Sequence, residues 1–289
     1  MTNKDNVSTE SLGLIPVLTT QAGRCLTTEN WQDAGVQVAS FHLAELLMKP
    51  GYDFLSTLKS LATYVGWPST LVLNATLPSA NAAGRYSIRS QYDGRRIEHS
   101  VQEIMAIIAT LQPTTVVLPQ GVWKNFSELC QLLPESIFTF IPIADLPLSA
   151  ESIRSYGVYV AYDQQTMSPE SVLQQLSEYK GLPYYVAGAL NLPQMRELSE
   201  YGVQFIESDT PAADACRGMV YCSEGELSLS DELYAKQFSA IDEACHCPVC
   251  SQGFTRAYLH HLFQHTPLLC QRLLLQHNVF YCRTSFTSE

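Results

Sequence analysis

GVYVAYDQQTMSPESVLQQLSEYKGLPYYVAGALNLPQMRELSEYGVQFIES, residues 157–208, decides the fold. It holds three short apolar runs, GVYVAY (157–162), PYYVAG (183–188) and GVQFIES (202–208), rich in the β-branched and aromatic residues that favour strands. Between them lie SPESVLQQLSEYKG (168–181) and LPQMRELSEYG (192–202), whose apolar residues recur at helical spacing. Ser168 with Ser171 three residues on, and Pro169 in the first turn, mark one helix start; Gly181 and Gly202 mark helix ends. Near-continuous apolar strands joined by helices read as parallel βαβ units buried on both faces.

The same alternation extends towards the N-terminus. LIPVLTT (14–20), VQVASF (36–41), TLVLN (70–74), TTVVLP (114–119) and IFTFIPI (137–143) bring the strand count to eight, with candidate helices at 42–65, 100–112, 127–134 and 149–157. Ser100 followed by Glu103 opens the second of these as a capping box. Eight units predict a (β/α)8 TIM barrel, with a doubly wound open sheet as runner-up. No GxGxxG, GxxxxGK[ST] or GxSxG follows any run, which argues against nucleotide-binding and hydrolase chemistry. Two stretches interrupt the pattern. Residues 86–100 form two polar arms around Asp93-Gly94, a dipeptide that favours a tight hairpin turn, and 209–254 reads as an insertion ahead of a last helix at 256–278.

Composition narrows the class. With 289 residues, 46% apolar and 16% charged, the chain is neither disordered nor long enough in any apolar run to make a membrane helix. Its 28 acidic and 17 basic residues give a net charge of −11, which weighs against nucleic-acid binding and leaves a ligand- or protein-binding module open. The first eleven residues, MTNKDNVSTES, are polar, so a flexible tail and a cytoplasmic location are expected.

Nine cysteines are many for that compartment. Cys25, Cys130, Cys216, Cys222, Cys270 and Cys282 are scattered and read as small core hydrophobes. Cys245, Cys247 and Cys250 fall within six residues, the knuckle spacing of a thiolate zinc site, against the blander reading of three incidental thiols. A fourth ligand would come from a histidine. His246, His260, His261 and His265 are nearer in sequence; His277 follows at the far end of the last helix and could equally serve the helix dipole there. Three thiolates and one imidazole leave no open position, so such a zinc is structural.

Cys245-x-Cys247-x-x-Cys250, with Thr255-Arg256-Ala257-Tyr258-Leu259-His260-His261-Leu262 and His277-Asn278, resembles the C-terminal signature of the tRNA-guanine transglycosylases, the queuine tRNA-ribosyltransferases. Phe41-His42-Leu43 through Lys49-Pro50-Gly51, Arg89 through Gly94, and Gly202 through Pro211 carry weaker similarity to the same family. The resemblance implies a barrel with an inserted C-terminal zinc-binding subdomain, hence a barrel over 12–211, a subdomain and final barrel helix over 212–289, and zinc held by Cys245, Cys247, Cys250 and His277. It also implies a dimer, either of identical chains or with a catalytic transglycosylase subunit, and contact with tRNA; no membrane partner is expected.

The family's catalytic motifs are eroded. Asn74-Ala75-Thr76-Leu77-Pro78-Ser79 stands where the family reads Asp-Ser-Gly-Gly-Phe-Gln, so the general-base aspartate is an amide at Asn74. Pro119-Gln120-Gly121, Pro142-Ile143-Ala144 and Ala161-Tyr162-Asp163 replace Asp-Glu-Cys, Gln-Gly-Gly and Gly-Gly-Leu. Glu207-Ser208 replaces Asp-Cys at the nucleophile, and one extra methylene moves the attacking oxygen by about an ångström, enough to cost roughly 100-fold. This pattern is similar to the non-catalytic accessory subunit of the family. The alternative is an active transferase using Glu207, assisted by Asp209 or Asp163.

Overall fold

The computed structural model describes residues 13–146 and 155–286. The expected flexible tail over 1–11 and most of the candidate helix at 149–157 lie outside the described residues; Tyr156 and Gly157, at the end of that candidate, open a strand instead.

Eight parallel strands form the body: β1 (Leu14–Ile15), β2 (Val38–His42), β3 (Thr70–Asn74), β6 (Thr115–Val117), β7 (Phe138–Pro142), β8 (Tyr156–Tyr162), β9 (Tyr184–Gly188) and β10 (Phe205–Glu207). Their order is β1-β10-β9-β8-β7-β6-β3-β2. Past β1 the ring closes: the Leu18 amide donates to the Ser40 carbonyl and the Ser40 amide to the Pro16 carbonyl, both at 2.9 Å. The open doubly wound alternative is thereby excluded, and the (β/α)8 barrel with a cysteine cluster near its C-terminus stands.

Side chains fill the barrel as a packed core. Ile15, Val38, Val72, Val117, Phe140, Tyr159, Tyr185 and Phe205 meet inside it, with ring centroids of the aromatic members 4.9–5.7 Å apart. Phe140 needs the space over Gly157, where a Cβ would lie 2.2 Å from its ring. Outside, the Val101–Leu111 helix carries the expected Ser100/Glu103 capping box and buries Val101, Ile104, Ile108 and Leu111. The Pro169–Leu176 helix opens on Ser168 and Ser171 as read from sequence.

Three local expectations are corrected. The single helix over 42–65 is broken into Leu43–Leu46, Leu47–Gly51, Tyr52–Leu55 and Leu61–Val65, because Pro50 has no amide to donate and Lys49 before it is extended. The last helix is two, Arg256–His265 and Pro267–Phe286, separated at Thr266 for the same reason. Residues 85–100 do form a hairpin, β4 (Arg85–Arg89) with β5 (Arg96–Ser100), but the turn is wider than two residues: Ser90 donates to the Arg95 carbonyl, and Gly94, at φ +71°, donates to that of Ser90.

After β10 a short helix, Thr210–Cys216, leads to the antiparallel pair β11 (Met219–Cys222) and β12 (Gly225–Ser228). The 20-residue Pro267–Phe286 helix then packs on the Thr210–Cys216 helix, β11 and β1, tying this segment to the barrel. Among the described residues no helix is long and apolar enough to cross a membrane.

Candidate active site and metal centre

Glu207 is the last residue of β10, and the parallel register sets it beside Ile15 of β1 and Ala187 of β9. His42 and Asn74, paired in register, are the last residues of β2 and β3. Barrel closure brings these strand ends together at the C-terminal mouth, where barrel enzymes place their catalytic groups. Glu207 is only 2% exposed. Its Oε1 accepts from His42 Nε2 at 2.9 Å and from Asn74 Nδ2 at 3.0 Å, and its Oε2 accepts from the Tyr185 hydroxyl at 2.7 Å.

The orientation of Asn74 is set from its other side, where its carbonyl oxygen accepts from the Thr76 amide (3.1 Å) and hydroxyl (2.7 Å). Only the NH2 group is then free to face Glu207. An aspartate at this position would set a second carboxylate about 3 Å from the first, so asparagine is the partner that a buried Glu207 requires. Burial by itself would raise the Glu207 carboxyl, but the charge and hydrogen bond of His42, with the Tyr185 hydroxyl, hold it below its ordinary value. His42 moves the complementary way: burial lowers it, and Glu207 more than restores it, leaving the imidazole raised. The pair joins a buried carboxylate to a half-buried imidazole inside a hydrogen-bonded cage.

A cavity of about 430 Å3 opens beside this cage, lined by Thr20, His42, Asn191, Glu207, Asp209 and Arg217 among others. Asp209 accepts from the Thr20 hydroxyl at 2.7 Å, and burial pushes its carboxyl up to about 6. Asp163 is absent from the cavity wall; its carboxylate is engaged by the Gln165 amide and the Thr166 hydroxyl of its own turn. A neighbouring cavity of about 500 Å3 lies over the ends of β3, β7 and β8, lined by Leu77, Gln120, Ile143, Ala144 and Tyr159. The Tyr162 hydroxyl accepts from Gln194 at 2.8 Å.

The metal-ligand expectation converges in space. Cys247 caps the short Pro248–Ser251 helix, its sulfur accepting the Cys250 amide at 3.3 Å. His277 lies inside the Pro267–Phe286 helix, with Nδ1 3.8, 3.3 and 3.4 Å from the sulfurs of Cys245, Cys247 and Cys250. All four ligand atoms fall within 4.8 Å of one another. Tetrahedral zinc, with Zn–S near 2.3 Å and Zn–N near 2.0 Å, puts neighbouring ligand atoms about 3.5–3.8 Å apart, which these spacings match. The His277 Nε2 donates to the Tyr221 carbonyl at 2.7 Å, and that fixes the tautomer with its lone pair turned towards the sulfurs.

The other candidate histidines, His246, His260, His261 and His265, lie outside the cluster. His260 faces the Leu229 carbonyl at 2.8 Å, and His261 and His265 pair with each other, ring centroids 4.5 Å apart. Among the six scattered cysteines, Cys130, Cys222, Cys270 and Cys282 are buried as expected, whereas Cys25 and Cys216 are only half-buried. Residue-by-residue reading missed His42 and Tyr185 as partners of Glu207. The available signal was position: His42, Asn74 and Glu207 each end a strand at the same face.

Comparison with known proteins agrees with this architecture. The family described as Queuine tRNA-ribosyltransferase matches residues 144–288, which include Glu207 and the four cluster residues. The chain is similar to a queuine tRNA-ribosyltransferase of Clostridium acetobutylicum, 30% identical over 88% of this chain and 80% of that one. One from Clostridium kluyveri is 30% identical over 89% and 81%, and one from Chlamydia muridarum is 37% identical over 29% and 23%. With similarity at this level running through both the barrel and the cysteine cluster, the chain belongs to the queuine tRNA-ribosyltransferase family.

Proposed function

We propose that this chain is a non-catalytic member of its family, an accessory subunit or pseudoenzyme of queuosine tRNA modification. The observation that carries the reading is the cage around Glu207. A carboxylate nucleophile needs an accessible oxygen that can approach the sugar carbon, but here Glu207 is 2% exposed and its two oxygens are held by three side chains at 2.7–3.0 Å. The general-base position is filled by Asn74, whose amide is itself consumed in that cage.

The retained role is structural and associative. Cys245, Cys247, Cys250 and His277 hold a structural zinc, which would anchor the β11–β12 segment to the last helix. The residues from 212 onward form a zinc-binding subdomain, and through it the chain pairs with a second copy or with a catalytic relative in the cytoplasm and takes part in binding tRNA. One observation favours the competing reading of an active transferase: the cavity beside Glu207 is open and holds Asp209 with a raised carboxyl. Incubation of the purified chain with tRNA and labelled guanine or queuine separates the two. No base exchange is expected; turnover that disappears in Glu207→Gln would sink the pseudoenzyme reading.

A further inference from the structure

The chain is strongly acidic overall, yet its cations are unevenly placed. Seven of its 17 basic residues, Lys59 among them, lie on the three connections that follow β1, β2 and β3, matched there by seven of its 28 carboxylates, including Glu45, Asp53, Asp93 and Glu98, whereas the rest of the chain sets 10 basic residues against 21 acidic ones. These loops rise from the same C-terminal rim as Glu207. The link to the cavity is direct, because Thr20 donates to Asp209 through its hydroxyl while its carbonyl accepts the Arg24 amide.

At the centre stands Tyr92, in the turn of the β4–β5 hairpin and 47% exposed. The Arg24 guanidinium carbon lies 5.9 Å and the Lys49 ammonium 5.6 Å from its ring centroid. Arg24 also donates to the Tyr92 hydroxyl, and Glu45 holds it in place by accepting from it at 3.0 Å and from Gln91 at 2.9 Å. The ring is thus held in position, flanked by cations and open to solvent.

The hairpin beside it has two chemically distinct faces. Tyr86 and Ile88 turn inward and are buried, while Arg85, Arg89 and Arg96 are exposed on the other face. Arg89 and Arg96 are directly opposite each other in the ladder, a like-charge pair that opposes strand pairing. Arg96 donates to Glu98 at 2.8 Å and to the Ser87 hydroxyl at 2.7 Å, while among the described residues the Arg89 guanidinium has no hydrogen-bonded or ionic partner. Two facing guanidiniums, one of them without a counter-charge, are relieved by an anion that spans both, which is what a phosphodiester backbone supplies.

We infer that this surface, Tyr92 with Arg24 and Lys49 beside the Arg89–Arg96 pair, is a docking platform for a single-stranded loop of a folded RNA, an unpaired base stacking on Tyr92 and adjacent phosphates lying along the arginines. An exposed aromatic between cations is how proteins grip unstacked bases, and an acidic protein partner would leave the ring unexplained. The acidic remainder of the chain repels polyanions and so confines RNA to this rim. The inference rests on the reading that the chain binds tRNA, and it assigns that contact to a particular surface.

The test measures binding of the full chain to a fluorescein-labelled RNA stem-loop and to the fully paired duplex of the same stem, across a salt series. Tyr92→Ala is expected to weaken stem-loop binding roughly 5- to 100-fold with the salt slope unchanged. Arg89→Glu with Arg96→Glu should lower the slope of log K against log salt by about 1.4, near 0.7 per lost phosphate contact. These positions are exposed, and an unchanged urea midpoint for each variant verifies that the fold is intact. Wild-type binding that survives both changes overturns the platform while leaving RNA binding in place. No binding by the wild type overturns the platform and the tRNA reading together. Heparin binding as tightly as the stem-loop, with Tyr92→Ala silent, would reduce the patch to anion exchange and overturn the stacking.

Discussion

Glu207→Ala removes the acceptor of three donors at once, two of them on residues that are essentially inaccessible, Asn74 at 2% and Tyr185 at 0% exposure. Deleting one partner of a fully buried ion pair costs about 3–5 kcal/mol, and the partly exposed His42 places this pair at the lower end of that range. An orphaned buried donor costs about 1–3 kcal/mol, a penalty that overlaps the first, so the expected total is about 4 kcal/mol. Glu207→Gln should cost less, about 1–2 kcal/mol. Its amide oxygen can serve His42 and Asn74 while its NH2 turns to the Tyr185 hydroxyl oxygen. The cage also sets a pH window. The Glu207 contribution is fully present above the ordinary carboxyl value of 4.5 and is lost as pH falls through its lowered native value. That of His42 is fully present below 6.5 and is lost as pH rises through its raised native value. The stability gap between wild type and Glu207→Ala is therefore widest from about pH 4.5 to 6.5 and narrows on both sides. Urea unfolding at a series of pH values measures it. An alanine variant as stable as the wild type, or a gap that widens steadily above pH 7, would refute the ion-pair cage.

Metal analysis of the purified chain should find about one zinc per molecule, and Cys247→Ser should cost about 3–5 kcal/mol or prevent folding, since a structural site contributes folding energy directly. A metal-free chain of equal stability would remove the zinc centre. Asp209→Asn should stabilise the protein by about 1 kcal/mol above pH 7 and by nothing below pH 4. Burial raises this carboxyl from 3.8 to about 6, so the native state keeps the proton longer and ionisation destabilises it as pH climbs through that interval. A variant less stable at pH 8 would contradict this.

The barrel was legible in the sequence because each strand announces itself locally. A buried parallel strand is a short apolar run, and each of the eight runs overlaps an observed strand, most of them with ends shifted by a residue or two. The cysteine cluster was legible for the same reason, three ligands within six residues. Where the reading slipped, the cause was also local but was overridden by periodicity: Lys49-Pro50 and Thr266-Pro267 both sit inside helical patterns, and both break them. The cage around Glu207 left no spacing to detect. His42, Asn74, Tyr185 and Glu207 are up to 165 residues apart, and only closure of the ring makes them neighbours. Tyr185 was least visible, since in its strand it reads as one more aromatic of the core.

Asn74 and Glu207 make most sense as one change rather than two. In the family pattern both positions are aspartates, which must stay apart and poised; here the carboxylate at 207 is one methylene longer and reaches into a set of donors that includes the amide at 74. Each substitution answers the other, because a carboxylate at 74 would repel Glu207 across 3.0 Å, and a shorter side chain at 207 would strand the Asn74 amide. The directions of the ionisation shifts point the same way. Glu207 is held below its ordinary value, the mark of a carboxylate whose charge the fold welcomes, whereas catalytic acids and bases are usually kept uncomfortable. Within the cavity that discomfort survives only at Asp209, whose carboxyl is raised to about 6. The mouth of the barrel thus uses the buried charge of Glu207 for stability, while a carboxylate with a raised value and a cation-flanked tyrosine stand at its rim.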